Sequence, residues 1–399
     1  MNKALIIHAL WAVVAITSFV VGAQYFAGDA MTAAHGDSGK SGGAGASGGS
    51  TGPVAGAYHP RPASRNSRSA GVPDLGEPGR VNLSEQGIKS LGNILQTSNN
   101  PIERRIAFAK LLEGLTVENA ELLREQITHM SSDSPEWKDF HYAWGALAGQ
   151  SVVEFGAKSE QKDMAAAFSG WASANPQAAL SWFNSQSTED QNRRDLKWGA
   201  VYGLANTDPR VATDFAMQRL EMGDKDAGHM MNLIARAVMK SGSPEEAARW
   251  SASVPEGKLR DVAVSQVARG YADEDPSKAV SWLQTLPEGN GKALGFGMAF
   301  STWAARDAEA AGNHLNQMND SPERDSAVTG FTRRIAYQNP RAAVDWASTI
   351  TDPKMRNETL VHSGRAYLRK DREAARQWLA SSNLSAEVQK RIIGPGKRK

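Results

Sequence analysis

The chain has no cysteine. That removes disulfides, thiolate catalysis and every cysteine-based zinc or iron–sulfur site, and it fits either redox compartment. It also lacks a charge excess: 45 Lys and Arg stand against 43 Asp and Glu, a formal net charge of +2. A protein built to hold nucleic-acid phosphates carries a clearer basic balance, so no nucleic-acid partner is expected. No stretch alternates apolar and polar residues long enough to argue a strand. The eight histidines form no H-E-x-x-H and no helix-spaced metal pair, and the carboxylates are scattered. No metal, cofactor or catalytic residue is expected.

What is present is repetition. In "EDPSKAVSWLQTLPEG", Glu274 to Gly289, the proline, alanine and tryptophan belong to a pattern that recurs down the chain. Anchors fall at Pro176, Pro209, Pro244, Pro276, Ala308, Pro340 and Arg372, 32 to 35 residues apart. Three residues after each stands an alanine, from Ala179 to Ala375. Six after it stand Trp182, Phe215, Trp250, Trp282, His314, Trp346 and Trp378, and five before it Trp171, Leu204, Met239, Tyr271, Trp303, Ile335 and Tyr367. A fixed period of this length is the signature of stacked repeats.

Each unit reads as a helical hairpin. Proline suits the first turn of a helix, and Asn175, Asp208, Asp275 or Asn339 before it can cap that turn. Alanine and tryptophan, three apart, share one face of this short first helix. "LP" (Leu286-Pro287) or "VP" (Val254-Pro255) ends it, because proline excludes its predecessor from helical geometry. A longer second helix, such as Lys258 to Ala272, carries apolar residues at three-and-four spacing up to the next Asp-Pro.

The D-P-x-x-A-x-x-W pattern resembles the junction between tetratricopeptide repeats, whose period is about 34 residues. The resemblance covers roughly Glu160 to Asn383. The Leu-Gly and Tyr that should follow the tryptophan are missing, a loop proline shortens the first helix, and no motif matches the family's peptide-clamping residues. The resemblance therefore implies an all-α, tetratricopeptide-like α-solenoid (a superhelix of stacked hairpins), nearer a divergent bacterial variant of the envelope than a standard member. The tryptophans are read as seam-filling core, and His314, in their column, as a buried structural histidine rather than a metal ligand.

Four segments follow. Residues 1–25 hold an uncharged run from Ala4 to Ala23, interrupted only by His8; at about 20 residues it suits a membrane span. Val21 and Ala23 also resemble the small residues before a signal-peptide cleavage site, so both readings stay open. Residues 26–82 are a Gly/Ser/Pro/Arg-rich linker built around "GKSGGAGASGGSTG". Residues 83–158 read as divergent helices with a capping hairpin from Asp133 to Phe155: Ser84 caps the first helix, Pro101 opens the second and Thr116 the third. Residues 159–395 hold the repeats. "GASGG" (Gly45 to Gly49) and "AHGDSGKS" (Ala34 to Ser41) mimic a nucleophile elbow and a phosphate loop, but lie in the linker without the strand and helix those motifs need.

One column suggests a surface. Sixteen residues after the anchors stand Lys225, Arg260, Lys292, Arg324 and Arg356, with Arg193 one place off. One residue per hairpin makes a ladder with rungs roughly 10 Å apart. The ladder reads either as solvated residues paired with Asp226, Asp261, Asp325 and Glu358, or as a ridge that meets an acidic, extended partner. The functional expectation is a scaffold for protein or peptide partners, tethered to the cell membrane by one span with its repeats outside the cytoplasm (periplasmic), or secreted if the N-terminal segment is cleaved. The alternative is a cell-wall polymer binder or an enzyme whose site arises from scattered solenoid residues.

Overall fold

The computed structural model describes residues 82–158 and 163–394. The apolar run, the linker and its two mimic motifs, and the first residues of the repeat region lie outside them. The described residues hold twenty-one α-helices and no strand. The chain divides into two units, one of residues up to 115 with 125–127, the other of residues 116–124 and 128 onward.

The first unit holds α1 (Glu85–Thr97) and α2 (Pro101–Glu113). The Ser84 hydroxyl accepts the Gly87 amide at 3.2 Å, and Asn100 caps α2 one residue before Pro101. Thr116 does not open the third helix. It exchanges hydrogen bonds with Asn119 in a closed turn, and α3 (Ala120–Ile127) begins after that turn.

In the second unit, α4 (Pro135–Ala148) and α5 (Gln150–Lys158) form the expected first hairpin, which extends three residues beyond Phe155. Then come α6 (Met164–Ala174), α7 (Pro176–Ser185), α8 (Thr188–Asn192), α9 (Arg194–Thr207), α10 (Pro209–Glu221), α11 (Ala227–Ser241), α12 (Pro244–Ser253) and α13 (Lys258–Glu274). The series ends with α14 (Pro276–Thr285), α15 (Asn290–Arg306), α16 (Ala308–Gln317), α17 (Pro322–Ile335), α18 (Pro340–Ser348), α19 (Pro353–Lys370), α20 (Arg372–Ser381) and α21 (Ala386–Ile393). Helices pack in sequence order, so the fold is all-α and repeat-like.

Five of the seven junctions are a single residue serving two helices. The Asp275 amide donates to the Tyr271 carbonyl at 2.8 Å and closes α13, while its carboxylate accepts the Lys278 amide at 3.0 Å and opens α14. Asn175, Asp208, Asp307 and Asp371 do the same, while Asn339 caps α18 after a three-residue turn that follows α17. At Asp307 and Asp371 the next residue is not proline, yet φ and ψ barely change, so the cap fixes the turn and proline only favours it. Ser243 uses a full capping box with Glu246 instead.

Packing has two parts. The alanine three places after each anchor is fully buried in all seven repeats, because the first helix lies flat on the second helices there. The second helices also pack directly on one another: a Cβ at Gly330 in α17 would collide with the Gly297 carbonyl of α15, and one at Gly170 in α6 with the Tyr142 carbonyl of α4. Only glycine permits backbones that close.

The aromatic columns meet across the junctions, as Tyr271 with Trp282 (6.1 Å between ring centroids), Trp303 with His314 (5.3 Å) and Tyr367 with Trp378 (6.1 Å). Phe215 and Trp378 are buried, but Trp182, Trp250, Trp282, His314 and Trp346 are only half-buried, a correction to the fully buried column expected. The next residue points straight into the seam: Phe183, Leu283, Leu315 and Ala347 are at most 1% exposed. Leu283→Ala should therefore cost about 2–5 kcal/mol and Trp282→Ala about 1–3 kcal/mol. Urea unfolding of both variants checks this, and a larger loss for Trp282→Ala would show that the seam centres on the tryptophan.

Candidate functional site

The expected ladder stands at the N-terminal ends of the second helices. Helical side chains lean toward the N-terminus, so cations there fold back onto their own loops. Arg193 holds Asp195 at 2.7 Å, Arg260 meets Glu256 at 3.4 Å, and Lys292 meets Glu288 at 2.9 Å. Arg324, a buried residue, reaches Asp320 at 3.5 Å and the Thr349 carbonyl of the next repeat at 3.3 Å. Arg356 donates to the Ile350 carbonyl at 2.9 Å. Lys225 alone is exposed and without an ion pair among the described residues.

The acids expected beside them face elsewhere. Asp325 accepts the amides of Thr351 and Asp352 at 2.8 Å each and the Thr351 hydroxyl at 2.6 Å, tying one hairpin to the next loop. Asp226 receives Lys197 at 3.2 Å.

A different set of cations is free. On α13, α15 and α19 the residues ten, seven and three before the anchor are exposed or half-buried: Gln266, Arg269 and Asp273; Met298, Ser301 and Ala305; His362, Arg365 and Arg369. Arg236, Lys240, Arg269, Arg333 and Arg334 on this face are exposed, and none joins an ion pair among the described residues. Sequence reasoning missed this column although Arg269, Arg333 and Arg365 sit at one register, with Arg236 one place off. The signal that finds them is helix geometry: a mid-helix cation, unlike one in the first turn, has no loop within reach.

Two hollows open on the face. One, of 810 Å³, has Met239, Met298, Gly270 and Thr302 among its lining residues, with Arg236, Arg269 and Arg334 around them and Asp273 and Glu274 as its acids. The other, of 590 Å³, lies toward the C-terminal end between Tyr337, His362, Arg365, Arg369 and Ile393. The Arg369 guanidinium covers the Tyr337 ring at 5.6 Å, and the His362 ring meets it edge-on at 6.3 Å. His362 Nδ1 is buried and has no partner. Burial, then the charges of Arg333, Arg369 and Arg365, lower its pKa.

Buried charge elsewhere is satisfied within the fold. Arg124 donates to Asp163 at 2.6 Å and to His141 Nε2 at 3.2 Å, while Trp137 Nε1 donates to Asp163 at 2.7 Å. His141 Nδ1 meets the Trp137 carbonyl at 2.8 Å. A ring that donates through Nδ1 and accepts through Nε2 is neutral, consistent with the burial that lowers its pKa. In the second cluster, Lys197 and Arg219 share Asp224 at 2.8 and 2.7 Å, and Arg219 also reaches Asn192. Burial alone would raise the Asp224 carboxyl, but hydrogen bonds from Lys197, the Asp226 amide and Arg219 outweigh it and hold its pKa at about 2. Neither cluster lines a hollow. His314 packs on Trp303 and Phe300, burial lowers its pKa, and no group of metal-ligating side chains forms among the described residues.

Compared with known protein families, curated proteins and solved structures, the chain finds no match.

The Asp224 cluster gives a pH prediction. A carboxyl depressed from 3.8 to about 2 adds stability that is complete above pH 3.8 and disappears as pH falls through about 2. Asp224→Asn should cost about 3–5 kcal/mol at pH 7, because two buried cations lose their counter-charge. The gap to the parent should narrow on acidification, since protonation then neutralises the parent in the same way. Urea titrations at pH 7, 4 and 3 check it; a gap that does not shrink refutes the assignment.

Proposed function

We propose that the chain is a tetratricopeptide-like scaffold whose second-helix face holds an acidic, extended protein segment. The observation that carries this reading is the set of exposed, unpaired cations on α11, α13 and α17, beside shallow hollows. Charges spread over several hairpins suit a partner that runs across them, because screening limits each exposed charge to about 8 Å at physiological salt. The methionines of the larger hollow add an adaptable apolar surface for a side chain between the partner's acids. Both buried charge clusters are spent on hairpin junctions, which favours an interaction surface over an active site. The chain is placed outside the cytoplasm, with the run from Ala4 to Ala23 as its anchor and residues 26–82 as its tether. Among the described residues no helix is long and apolar enough to cross a membrane.

Full-length protein in detergent, titrated with a fluorescein-labelled peptide of alternating Glu and Ala, tests the face. Changing Arg236, Arg269, Arg333 and Arg334 to Gln should weaken binding about tenfold at low salt and flatten its salt dependence. Changing Lys225, Arg260, Lys292, Arg324 and Arg356 to Gln should instead lower the unfolding midpoint and keep the salt slope. The reverse pattern would return recognition to the first-turn ladder, and unchanged affinity in both variants would remove the acidic partner altogether.

Topology has its own test. Protease on the outer side of sealed membranes carrying the chain should cut within residues 26–82 and release the helical part. Complete protection would put the repeats in the cytoplasm.

A further inference from the structure

The near-neutral total hides an asymmetry. Residues 331–394 hold 12 of the chain's 45 lysines and arginines but 6 of its 43 acids, so this end is net +6 while the rest is net −4. The same end exposes apolar surface, with Tyr337 at 57% and Ile393 at 64%. Both line the 590 Å³ hollow, whose apolar side continues through Val361, Leu368 and Ile392.

The hollow's donors are partly committed and partly free. Arg365 uses Nε and Nη2 on the Arg391 carbonyl, at 3.0 and 2.8 Å, which fixes its guanidinium and leaves Nη1 without a partner. Lys370 donates to the carbonyls of Gln338 and Tyr337, holding the end of α17 in place. Arg369 lies over Tyr337, and His362 Nδ1 is buried and unpartnered. Glu358 is the lining's single acid. Fixed cations beside an exposed aromatic and an exposed aliphatic side chain match a surface that is anionic at its face and apolar beneath.

We propose that the C-terminal hollow docks on an anionic phospholipid surface, with Arg365 and Arg369 taking a headgroup phosphate while Tyr337 and Ile393 enter the interface. Aromatic rings and aliphatic side chains flanked by basic residues bind such interfaces through buried apolar area and attraction to anionic lipid together. The residues that follow, Pro395 to Lys399, add three more cations and so do not suit the hollow as its occupant. Docking here goes beyond the acidic-partner reading and uses a different part of the face: Arg236, Arg269 and Arg334 line the other hollow.

The absence of native cysteine makes the test direct, because one introduced thiol is the only label site. Full-length Ile393→Cys, carrying an environment-sensitive fluorophore, is reconstituted in vesicles of phosphatidylcholine alone or with about a third phosphatidylglycerol. A label at Ser281→Cys, an exposed position on a first helix, serves as the control. The 393 label should shift to the blue and be quenched by bilayer-located quenchers only in the anionic vesicles, and the 281 label should do neither. Arg365→Gln with Arg369→Gln should abolish most of the shift. Identical spectra in both vesicle types overturn the proposal. So does a shift in phosphatidylcholine alone, which is apolar adsorption, or a shift reproduced in detergent by glycerol phosphate or by the Glu/Ala peptide, which marks the hollow as a soluble-anion or protein site. Loss of peptide binding in the four-fold arginine variant leaves this result untouched, so the two proposals fail separately.

Discussion

The repeat region turns on a one-residue junction found in five of its seven hairpins, an aspartate or asparagine that ends one helix with its backbone and begins the next with its side chain. A junction one residue long leaves the chain no slack. Its φ near −144° and ψ near 95° recur at Asp208, Asp275, Asp307 and Asp371, so one angle between helices is repeated. The buried alanine and the paired aromatics follow from that angle. Only a methyl group fits where the first helix lies flat, and the ring five places before the anchor meets the ring six places after it. The cap contributes about 1 kcal/mol by itself, but it sets the geometry through which far larger burial is realised.

The opposite loops have no such one-residue device and are held by charge. Where the first helix runs into the second, Arg356 binds loop carbonyls and Asp325 binds loop amides and a hydroxyl. Lys197, Arg219 and Asp224 do comparable work around α8 and the turn before α11. These contacts divide the cations of the repeat region into two populations. First-turn cations lean onto loops that need donors; the mid-helix cations Arg236, Arg269, Arg333 and Arg334 have no such partner.

That division explains what the sequence could and could not convey. Period, caps and helix ends were legible because each depends on neighbours within about four residues: the predicted stop at Leu286-Pro287 is the observed end of α14 at Thr285. The third helix began later than read, because the Thr116–Asn119 turn satisfies its own polar groups before α3 starts. Periodicity marked both cation columns equally, but only direction distinguishes them. Depth in the seam was overestimated at Trp282 for a related reason. A three-residue spacing puts Ala279 and Trp282 on one face but cannot tell that Leu283, one step on, lies nearer its centre. The contact of Gly330 with Gly297, between residues 33 apart, has no local signature at all.

Charge that the fold has already satisfied is poor evidence of function, however deeply perturbed. Against burial, the Asp224 carboxyl is held at a pKa of about 2, and the hydrogen bonds from Lys197, the Asp226 amide and Arg219 account for it. Arg269, Arg333 and Arg334 show the reverse: solvated, unpaired and contributing nothing evident to the hairpins. Repeated placement of like charge on neighbouring helices costs stability through mutual repulsion, while the loops beside them draw on other cations. That cost, carried on α11, α13 and α17, is small where salt screens it and would fall further with an anionic partner across the helices. The proposed recognition surface therefore draws on the least embedded charges, while the buried ones belong to the fold.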